Sequence, residues 1–346
     1  MKVLKFGGTS VGSAQRMKEV AKLITDGERK IVVLSAMSGT TNTLVEISDY
    51  LYKKNPEGAN EIINRLETKY RQHIDELYAT PEYKQKGLEL IKSHFDYIRS
   101  YTKDLFTLFE EKVVLAQGEL ISTAMMNYYL QECGVKSVLL PALEYMRTDK
   151  NAEPDPVYIK DKLQVQLELH PNAEIYITQG FICRNAYGEV DNLQRGGSDY
   201  TASLIGAAVK ASEIQIWTDI DGMHNNDPRV VDKTSPVRHL HFEEAAELAY
   251  FGAKILHPTC IQPAKYANIP VRLLNTMDPT APGTLISNDT EKGKIKAVAA
   301  KENITAIKIK SSRMLLAHGF LRKVFEIFES YQTSIDMICT SEVGVS

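Results

Sequence analysis

Short apolar runs alternate with amphipathic segments along most of this 346-residue chain, and this pattern constrains the fold more than any other feature. Six runs are continuous and rich in β-branched residues, which predicts buried strands at residues 3–6, 31–35, 137–140, 175–178, 214–218 and 271–274. Helical periodicity occupies intervening segments, including residues 14–25, 200–210 and 243–250. The alternation predicts an α/β three-layer sandwich, with helices on both faces of a largely parallel central sheet.

Two regions depart from this pattern. Residues 43–129 are rich in Glu, Lys, Leu and Tyr and are interrupted by Asn55-Pro56 and Thr80-Pro81, which predicts a helical insertion between two strands. After Gly293 we expect a strand at 304–310, a helix at 319–331 and a strand at 334–340. The chain therefore divides into a domain at 1–293 and a small second module at 303–346. That module stops at Ser346, before a ferredoxin-like unit closes its sheet, so we expect it to be truncated or to depend on another chain.

Composition excludes several classes of protein. The 41 Lys and Arg residues nearly balance the 44 Asp and Glu residues, leaving a net charge of −3 and no electrostatic reason to expect a nucleic-acid partner. No apolar run approaches the roughly 20 residues that span a bilayer, and the first residues lack a signal-peptide core. The 4 cysteines form no C-x-x-C pair. We predict a cytoplasmic protein with reduced thiols, no membrane partner and no metal site of its own.

A Gly-Gly loop and a hydroxyl-rich loop follow the first two predicted strands. In open α/β sheets, ligands bind beyond the carboxyl ends of the strands. The loop KFGGTS (5–10) combines two glycines, which let the backbone approach an anion, with the ammonium of Lys5; a plain tight turn is the alternative. The loop SAMSGTTN (35–42) leads into a helix near Asn42, and its hydroxyls either contact a ligand or cap that helix.

Two further loops carry both charge and hydroxyls. In RGGSDYTA (195–202), Arg195 offers a planar fork to a carboxylate or phosphate, Ser198 contacts a ligand or caps a helix, and Asp199 either complements the helix dipole or organises lysines and Mg²⁺. WTDIDG (217–222), followed by DPR (227–229), suits the ribose and phosphates of a nucleotide, or is a solvated turn. Lys254 adds a cation beyond a later helix, where a C-cap interaction is the alternative.

These loops together predict a site for several phosphates. The first loop is neither a Walker A sequence nor a protein-kinase glycine loop, and the G-x-G-x-x-G of a dehydrogenase is absent from the sequence.

Eight motifs then occur in the order of a known family, and they cover essentially the whole chain. They are KFGGTSV (5–11), SAMSGTTN (35–42), QGEL (117–120), MRTD with AEPD (146–155), TQGFI (178–182), RGGSDYTA (195–202), WTDIDG with DPR (217–229) and FGAKILHP (251–258). Together they resemble aspartate kinase, which has the amino-acid kinase fold. The tail at 340–343 resembles the start of the first ACT module of the lysine-sensitive branch.

The resemblance implies phosphorylation of the β-carboxylate of L-aspartate by ATP with Mg²⁺, giving 4-phospho-L-aspartate, the committed step toward lysine, methionine and threonine. It also implies a homodimer and a lysine effector at the ACT region. Lys5 and Asp199 would be the catalytic residues. The transferring phosphate would be held by Lys5, Gly7, Gly8, Thr9 and Ser10, aspartate by Thr41, Glu119, Arg195 and Ser198, and the rest of ATP by Thr218, Asp219, Arg229 and Lys254.

Elementary chemistry agrees with that assignment. A side-chain carboxylate has an ordinary pKa near ~3.9, so the nucleophile is already an anion and needs no general base. Catalysis then consists of positioning and charge neutralisation. Two alternatives stay open at this point. One is a related kinase acting on glutamate, acetylglutamate or UMP, and the other is a regulatory module that binds an amino acid without catalysis.

Overall fold

The computed structural model describes residues 1–193, 196–227, 230–251, 256–291, 293, 295–310, 318–341 and 344–345. The chain divides into two compact units, Met1–Ala299 and Ala300–Ser346, which are described separately. The boundary between the units, after Ala299, lies between the predicted domains at 1–293 and 303–346. The assignment of these units as a catalytic domain and a partial ACT domain stays a prediction.

The first unit alternates strands and helices. Its strands are β1 (Lys2–Phe6), β2 (Lys30–Leu34), β3 (Ser137–Leu140), β4 (Ile175–Gln179), β5 (Ile182–Arg184), β6 (Val190–Asn192), β7 (Ile214–Thr218), β8 (His239–His241), β9 (Val271–Asn275) and β10 (Thr284–Ser287). Its helices are α1 (Ala14–Ile24), α2 (Thr40–Tyr52), α3 (Pro56–Leu77), α4 (Pro81–Ser100), α5 (Leu108–Glu132), α6 (Ala142–Tyr145), α7 (Pro156–Leu169), α8 (Gly197–Val209), α9 (Phe242–Tyr250) and α10 (Gln262–Tyr266), with a 3₁₀ turn at Pro258–Ile261.

Within the described residues, eight strands form one sheet in the order β3-β4-β2-β1-β7-β9-β10-β8. The pairs from β3 to β9 are parallel, and β10 runs antiparallel to β9. The six predicted strands are all present, and the predicted fold class is confirmed. From β1 the chain proceeds to β2 on one side, whereas β7 pairs on the other side. The carboxyl end of β1 is therefore a topological switch point, where open α/β sheets form a ligand crevice.

Alternate residues of the central strands pack against opposite helical layers, because successive side chains of a strand point to opposite faces. Leu4 and Phe6 belong to one buried cluster, which also contains residues of α1 to α5. Val3 and Ile31 belong to the other, which includes residues of α6 to α8. Both faces of the sheet are thus covered, and ligands reach the strands from their ends.

The predicted helical insertion is present as α2 to α5, between β2 and β3. Both proline signals mark helix starts. Asn55 accepts a hydrogen bond from the N–H of Gly58 and caps α3, and Thr80 does the same for α4 with Tyr83. Proline is favoured at the first helical position because no N–H is needed there. In the part of the chain that the structure describes, no helix is both long and apolar enough to cross a membrane.

The second unit departs from the sequence-based expectation. It contains α11 (Phe320–Ser330), near the predicted position, with β11 (Ile309–Lys310), β12 (Thr340–Ser341) and β13 (Gly344–Val345). The prediction of strands over the whole of 304–310 and 334–340 is wrong, because only the last residues of each segment form a strand. Ile304, Ile307 and Met337 are more than half exposed. A run of apolar residues becomes a stable strand only when a partner surface covers it, and the described part of this unit provides none for these residues.

Candidate active site

Lys5 and Asp199 form an ion pair beyond the switch point. Lys5 is level with Val33 of β2 and Ile216 of β7, so its flanking strand neighbours are apolar. Its Nζ lies 2.7 Å from Oδ1 of Asp199, and the two side chains are only 11% and 13% exposed. Asp199 stands in the first turn of α8, where a carboxylate also complements the helix dipole. Both roles considered for Asp199 from sequence are therefore compatible with its position.

The ion pair faces a cavity of about 390 Å³ at the ends of β1, β2 and β4. The lining comes from the first glycine loop, the loop after β2 with the start of α2, one residue of α5, the residue before β5 and the start of α8. The lining residues are Lys5, Gly8, Ser35, Ala36, Met37, Ser38, Gly39, Thr41, Asn42, Glu119, Phe181, Gly196, Gly197, Ser198 and Asp199. Thus Lys5, Gly8, Thr41, Glu119, Ser198 and Asp199, which sequence motifs singled out from separate segments, line one space.

Two glycines allow the backbone segments around this cavity to approach closely. A Cβ on Gly8 would lie 2.8 Å from the carbonyl oxygen of Ala36, and a Cβ on Gly180 would lie 2.5 Å from Oγ of Ser198. The N–H of Ser38 donates to the carbonyl of Gly8 at 3.1 Å. The two loops after β1 and β2 therefore contact each other directly, and a side chain at either glycine would separate the segments that form the cavity.

Ser198 does not cap α8. The N-cap position belongs to Gly196, which has a φ of +69° and so adopts a conformation that glycine tolerates at low cost. The hydroxyl of Ser198 instead accepts a hydrogen bond from Oγ of Ser35 at 3.0 Å. Helix α2 begins at Thr40, close to the start expected near Asn42, and its N-cap residue is likewise a glycine, Gly39. Neither helix is capped by a side chain, and the hydroxyl-bearing residues Ser35, Ser38, Thr41 and Ser198 line the cavity.

Glu119 places a nearly fully buried carboxyl group at the cavity wall. Its Oε1 accepts a hydrogen bond from the N–H of Ala36 at 3.2 Å, whereas Oε2 has no hydrogen-bond partner among the described residues. Burial raises the pKa of Glu119 to about 7, with the Ala36 hydrogen bond acting in the opposite direction. A buried oxygen without a partner is costly, so this atom is suited to accept a hydrogen bond from a ligand.

Two residues of the site carried no role in the sequence analysis. Phe181 lines the cavity with a φ of +68°, which is rare for a bulky residue and is maintained by hydrogen bonds to Thr201 and Leu193. The buried Cys260 donates from Sγ to the carbonyl of Gly196 at 3.3 Å. Burial raises the pKa of its thiol to about 12, which keeps it protonated and able to donate. The TQGFI motif was a signal for Phe181, but no local pattern identified Cys260.

Other predicted nucleotide contacts lie outside the cavity lining. The hydroxyl of Ser10 is buried against Oγ1 of Thr276 at 2.7 Å, and the role of Ser10 as a phosphate ligand stays a prediction. Thr218 donates its hydroxyl to the carbonyl of Ile220, and Asp219 and Thr9 are exposed. A Cβ on Gly7 would be 3.5 Å from Nζ of Lys5. Arg195, Arg229 and Lys254 lie outside the described residues.

Two carboxylates near the site fit a metal ion that enters with a nucleotide. Among the described residues, no group of three His, Cys, Asp or Glu side chains could hold a metal ion. Mg²⁺ in phosphoryl-transfer sites is typically bound through one or two carboxylates together with substrate phosphates. Asp199 in the first turn of α8 and the exposed Asp219 directly after β7 are two carboxylates that match this requirement.

Comparison with known proteins gives a consistent picture. The model of the amino acid kinase family matches residues 1–275. Aspartokinase 1, chloroplastic, of Arabidopsis thaliana is 38% identical over 99% of this chain and 62% of its own length. Lysine-sensitive aspartokinase 3 of Escherichia coli K12 is 36% identical over 99% of this chain and 77% of its own length. The crystal structure of E. coli aspartokinase III in complex with aspartate and ADP superposes with a TM-score of 0.83 at 34% identity, covering 100% of this chain and 77% of that one.

The chain therefore belongs to the amino acid kinase family and, within it, to the aspartokinases. It spans 62–65% of the length of the three Arabidopsis aspartokinases that it matches.

Proposed function

We propose that this chain is an aspartate kinase, which transfers the γ-phosphoryl group of MgATP to the β-carboxylate of L-aspartate. The product would be 4-phospho-L-aspartate, the first intermediate toward lysine, methionine and threonine. The observation that carries the proposal is one cavity lined by the Lys5–Asp199 ion pair and by the buried Glu119. The cation would bind the transferring phosphate, and the separate carboxylate would bind the ammonium group of the amino-acid acceptor.

The amino-acid end of the substrate would lie at Glu119. Its Oε2 would accept a hydrogen bond from the α-ammonium group, which supplies the partner that this buried atom lacks within the described residues. The hydroxyls of Thr41 and Ser198 would complete the contacts. Arg195 would bind the α-carboxylate bidentately, a role that stays a prediction from the resemblance. Opposite charges at the two binding positions would select an α-amino acid.

The phosphate end would lie at Lys5. Backbone N–H groups of Gly7, Gly8 and Thr9 would assist it, since consecutive amides in a glycine loop form an anion-binding concavity. Thr218, Asp219, Arg229 and Lys254 would hold the rest of the nucleotide, as the resemblance implies. Mg²⁺, when bound with ATP, would neutralise part of the phosphate charge.

Catalysis in this arrangement needs no general base. The β-carboxylate is ionised at neutral pH, so its repulsion from the γ-phosphoryl group is the main obstacle. Lys5 would reduce that repulsion by placing an ammonium group at the transferring phosphate. Asp199 would fix the position of the Lys5 side chain through their ion pair, which avoids reorganisation during the reaction.

We further propose lysine as an effector and a homodimeric assembly. A crystal structure of E. coli aspartokinase III contains lysine and aspartate in the T-state, and that enzyme is 33% identical to this chain. Calorimetric titration with lysine and threonine tests the effector, and light scattering at micromolar concentration tests the dimer. Cytoplasmic location stays a sequence-based prediction.

The activity is tested by incubating the purified chain with MgATP and aspartate, glutamate or UMP. ADP release is followed with a coupled assay, and hydroxylamine traps an acyl phosphate as the hydroxamate. With aspartate, we expect ADP and hydroxamate to form in equal amounts. With glutamate or UMP, we expect neither product. ADP formation with glutamate or UMP but not with aspartate would assign a different acceptor. Binding of aspartate without turnover would favour a regulatory module.

A further inference from the structure

Helix α3 of the insertion contacts the chain segments that follow β1 and β2. Tyr70 is fully buried, and its hydroxyl shares a hydrogen bond of 2.9 Å with Oγ1 of Thr40 at the start of α2. One turn further, the ring of His73 lies 3.4 Å from the carbonyl oxygen of Gly12, which follows the first glycine loop. Residues three and four positions apart share one face of a helix, so α3 presents a single face to the site.

Lys69 lies on this face, and it contacts Ser38 and Gly39 of the loop after β2. Its Nζ donates to the carbonyl of Ser38 at 3.1 Å, and a Cβ on Gly39 would be 4.0 Å from the same nitrogen. Ser38 and Gly39 both line the cavity. Because the buried Tyr70 anchors the adjacent position on the helix, the base of the Lys69 side chain is held beside these two lining residues.

No carboxylate among the described residues forms an ion pair with Lys69. Arg65 and Arg71 of the same helix pair with Glu46 and Glu67, whereas Lys69 donates to a neutral carbonyl and forms no ion pair among the described residues. Gly39 is also the N-cap of α2, where the helix carries partial positive charge. A cation is unfavourable at that end of a helix and an anion is favourable. The position is therefore stabilised when an anion enters the cavity.

The identity of that anion follows from the neighbouring loop residues. Glu119 accepts a hydrogen bond from the N–H of Ala36, two residues before Ser38. In the proposed function, Glu119 also accepts a hydrogen bond from the α-ammonium group. In an α-amino acid, the ammonium and the α-carboxylate share one carbon atom. We propose that Lys69 binds the α-carboxylate of the amino-acid substrate. This inference rests on the proposed function, and it adds a cation that sequence motifs did not indicate.

The test compares Lys69→Met with Lys69→Arg and with a matched control, Lys18→Met. Lys18 of α1 likewise donates to a backbone carbonyl, that of Glu76 at 2.7 Å, but Glu76, unlike Ser38, does not line the cavity. For each protein we would measure the KM of aspartate, the KM of ATP and inhibition by 3-aminopropanoate. That compound retains the amine and the acceptor carboxylate of aspartate but lacks the α-carboxylate.

We expect Lys69→Met to raise the KM of aspartate roughly fivefold, as for a partly exposed charge pair, while the KM of ATP stays unchanged. Inhibition by 3-aminopropanoate should be the same in wild type and Lys69→Met, because the group that Lys69 would contact is missing. Lys69→Arg should retain most of the affinity for aspartate, and Lys18→Met should match wild type.

Two results would overturn the inference while leaving the proposed function intact. One is an active Lys69→Met enzyme with unchanged KM values. The other is a rise in the KM of ATP instead of that of aspartate, which would assign Lys69 to a phosphate. A wild-type chain that neither binds nor phosphorylates aspartate would instead contradict the proposed function.

Discussion

The ammonium of Lys5 and the carboxylate of Asp199 lie 2.7 Å apart in a site where neither side chain is more than 13% exposed. Removing one partner of a shielded ion pair leaves the other charge poorly solvated, and this costs more than the pair itself contributes. Substitutions at these two positions therefore test catalysis and local electrostatics together, and each needs a control of similar chemistry elsewhere.

Lys5→Met should lower kcat by roughly 10²–10³-fold, the range measured when one donor that stabilises developing charge is removed. Steady-state kinetics with MgATP and aspartate provide the measurement. The control is Lys2→Met on the same strand, since Lys2 pairs with the exposed Glu28 at 2.8 Å. Wild-type kcat in Lys5→Met would remove Lys5 from the reaction.

Asp199→Asn should abolish most turnover, because the amide keeps the shape of the side chain but no longer neutralises or orients Lys5. Circular dichroism should show that the fold is retained. Asp191→Asn is a matched control, since Asp191 pairs with Lys112 at 2.7 Å and is 16% exposed. If the two variants had the same kcat, Asp199 would only complement the dipole of α8 and would have no part in turnover.

The buried Glu119 should make stability depend on pH in a defined direction. Its pKa is raised from 4.5 to about 7 in the folded protein. Between these values the native state holds a proton that the unfolded state has released, so the free energy of unfolding should fall as pH rises from 4.5 to 7. The slope from this group is at most about 1.4 kcal/mol per pH unit. Denaturant titrations of wild type and Glu119→Gln across this range provide the measurement, and identical pH profiles would contradict the assignment.

Aspartate binding should release a proton at pH 6 but not at pH 8, because the bound α-ammonium group favours the ionised form of Glu119. Calorimetry in two buffers with different ionisation enthalpies measures this proton directly. In Glu119→Gln the release should disappear and the KM of aspartate should rise. A proton release that persists in Glu119→Gln would show that another group titrates.

Gly180→Ala should impair substrate binding by displacing Ser198, whose Oγ would lie 2.5 Å from the new methyl group. We expect the KM of aspartate to rise more than that of ATP. Gly87→Ala is the control for crowding alone, since its Cβ would lie 2.6 Å from Ile74 in the insertion, away from the cavity. It should lower the thermal midpoint without changing either KM, and a similar kinetic defect in both variants would contradict a specific effect.

Sequence reasoning succeeded where local patterns carry the information. Continuous apolar runs located the central strands, and Asn55-Pro56 and Thr80-Pro81 marked the starts of α3 and α4. It was wrong for the strands at 304–310 and 334–340, because their apolar residues remain largely uncovered within the second unit. Strand formation there depends on a partner surface, which local composition does not report.

The sequence by itself determined the α/β class and the set of loops that carry charge and glycine, because periodicity and turn chemistry act over a few residues. Only the tertiary structure decided which way each side chain points. In the structure the hydroxyl of Ser10 contacts Thr276, which is 266 residues away, Oε2 of Glu119 has no partner among the described residues, and Lys69 of the insertion donates to the carbonyl of Ser38. These outcomes depend on packing between distant segments, where each polar group is either satisfied or left available by neighbours that no local pattern specifies.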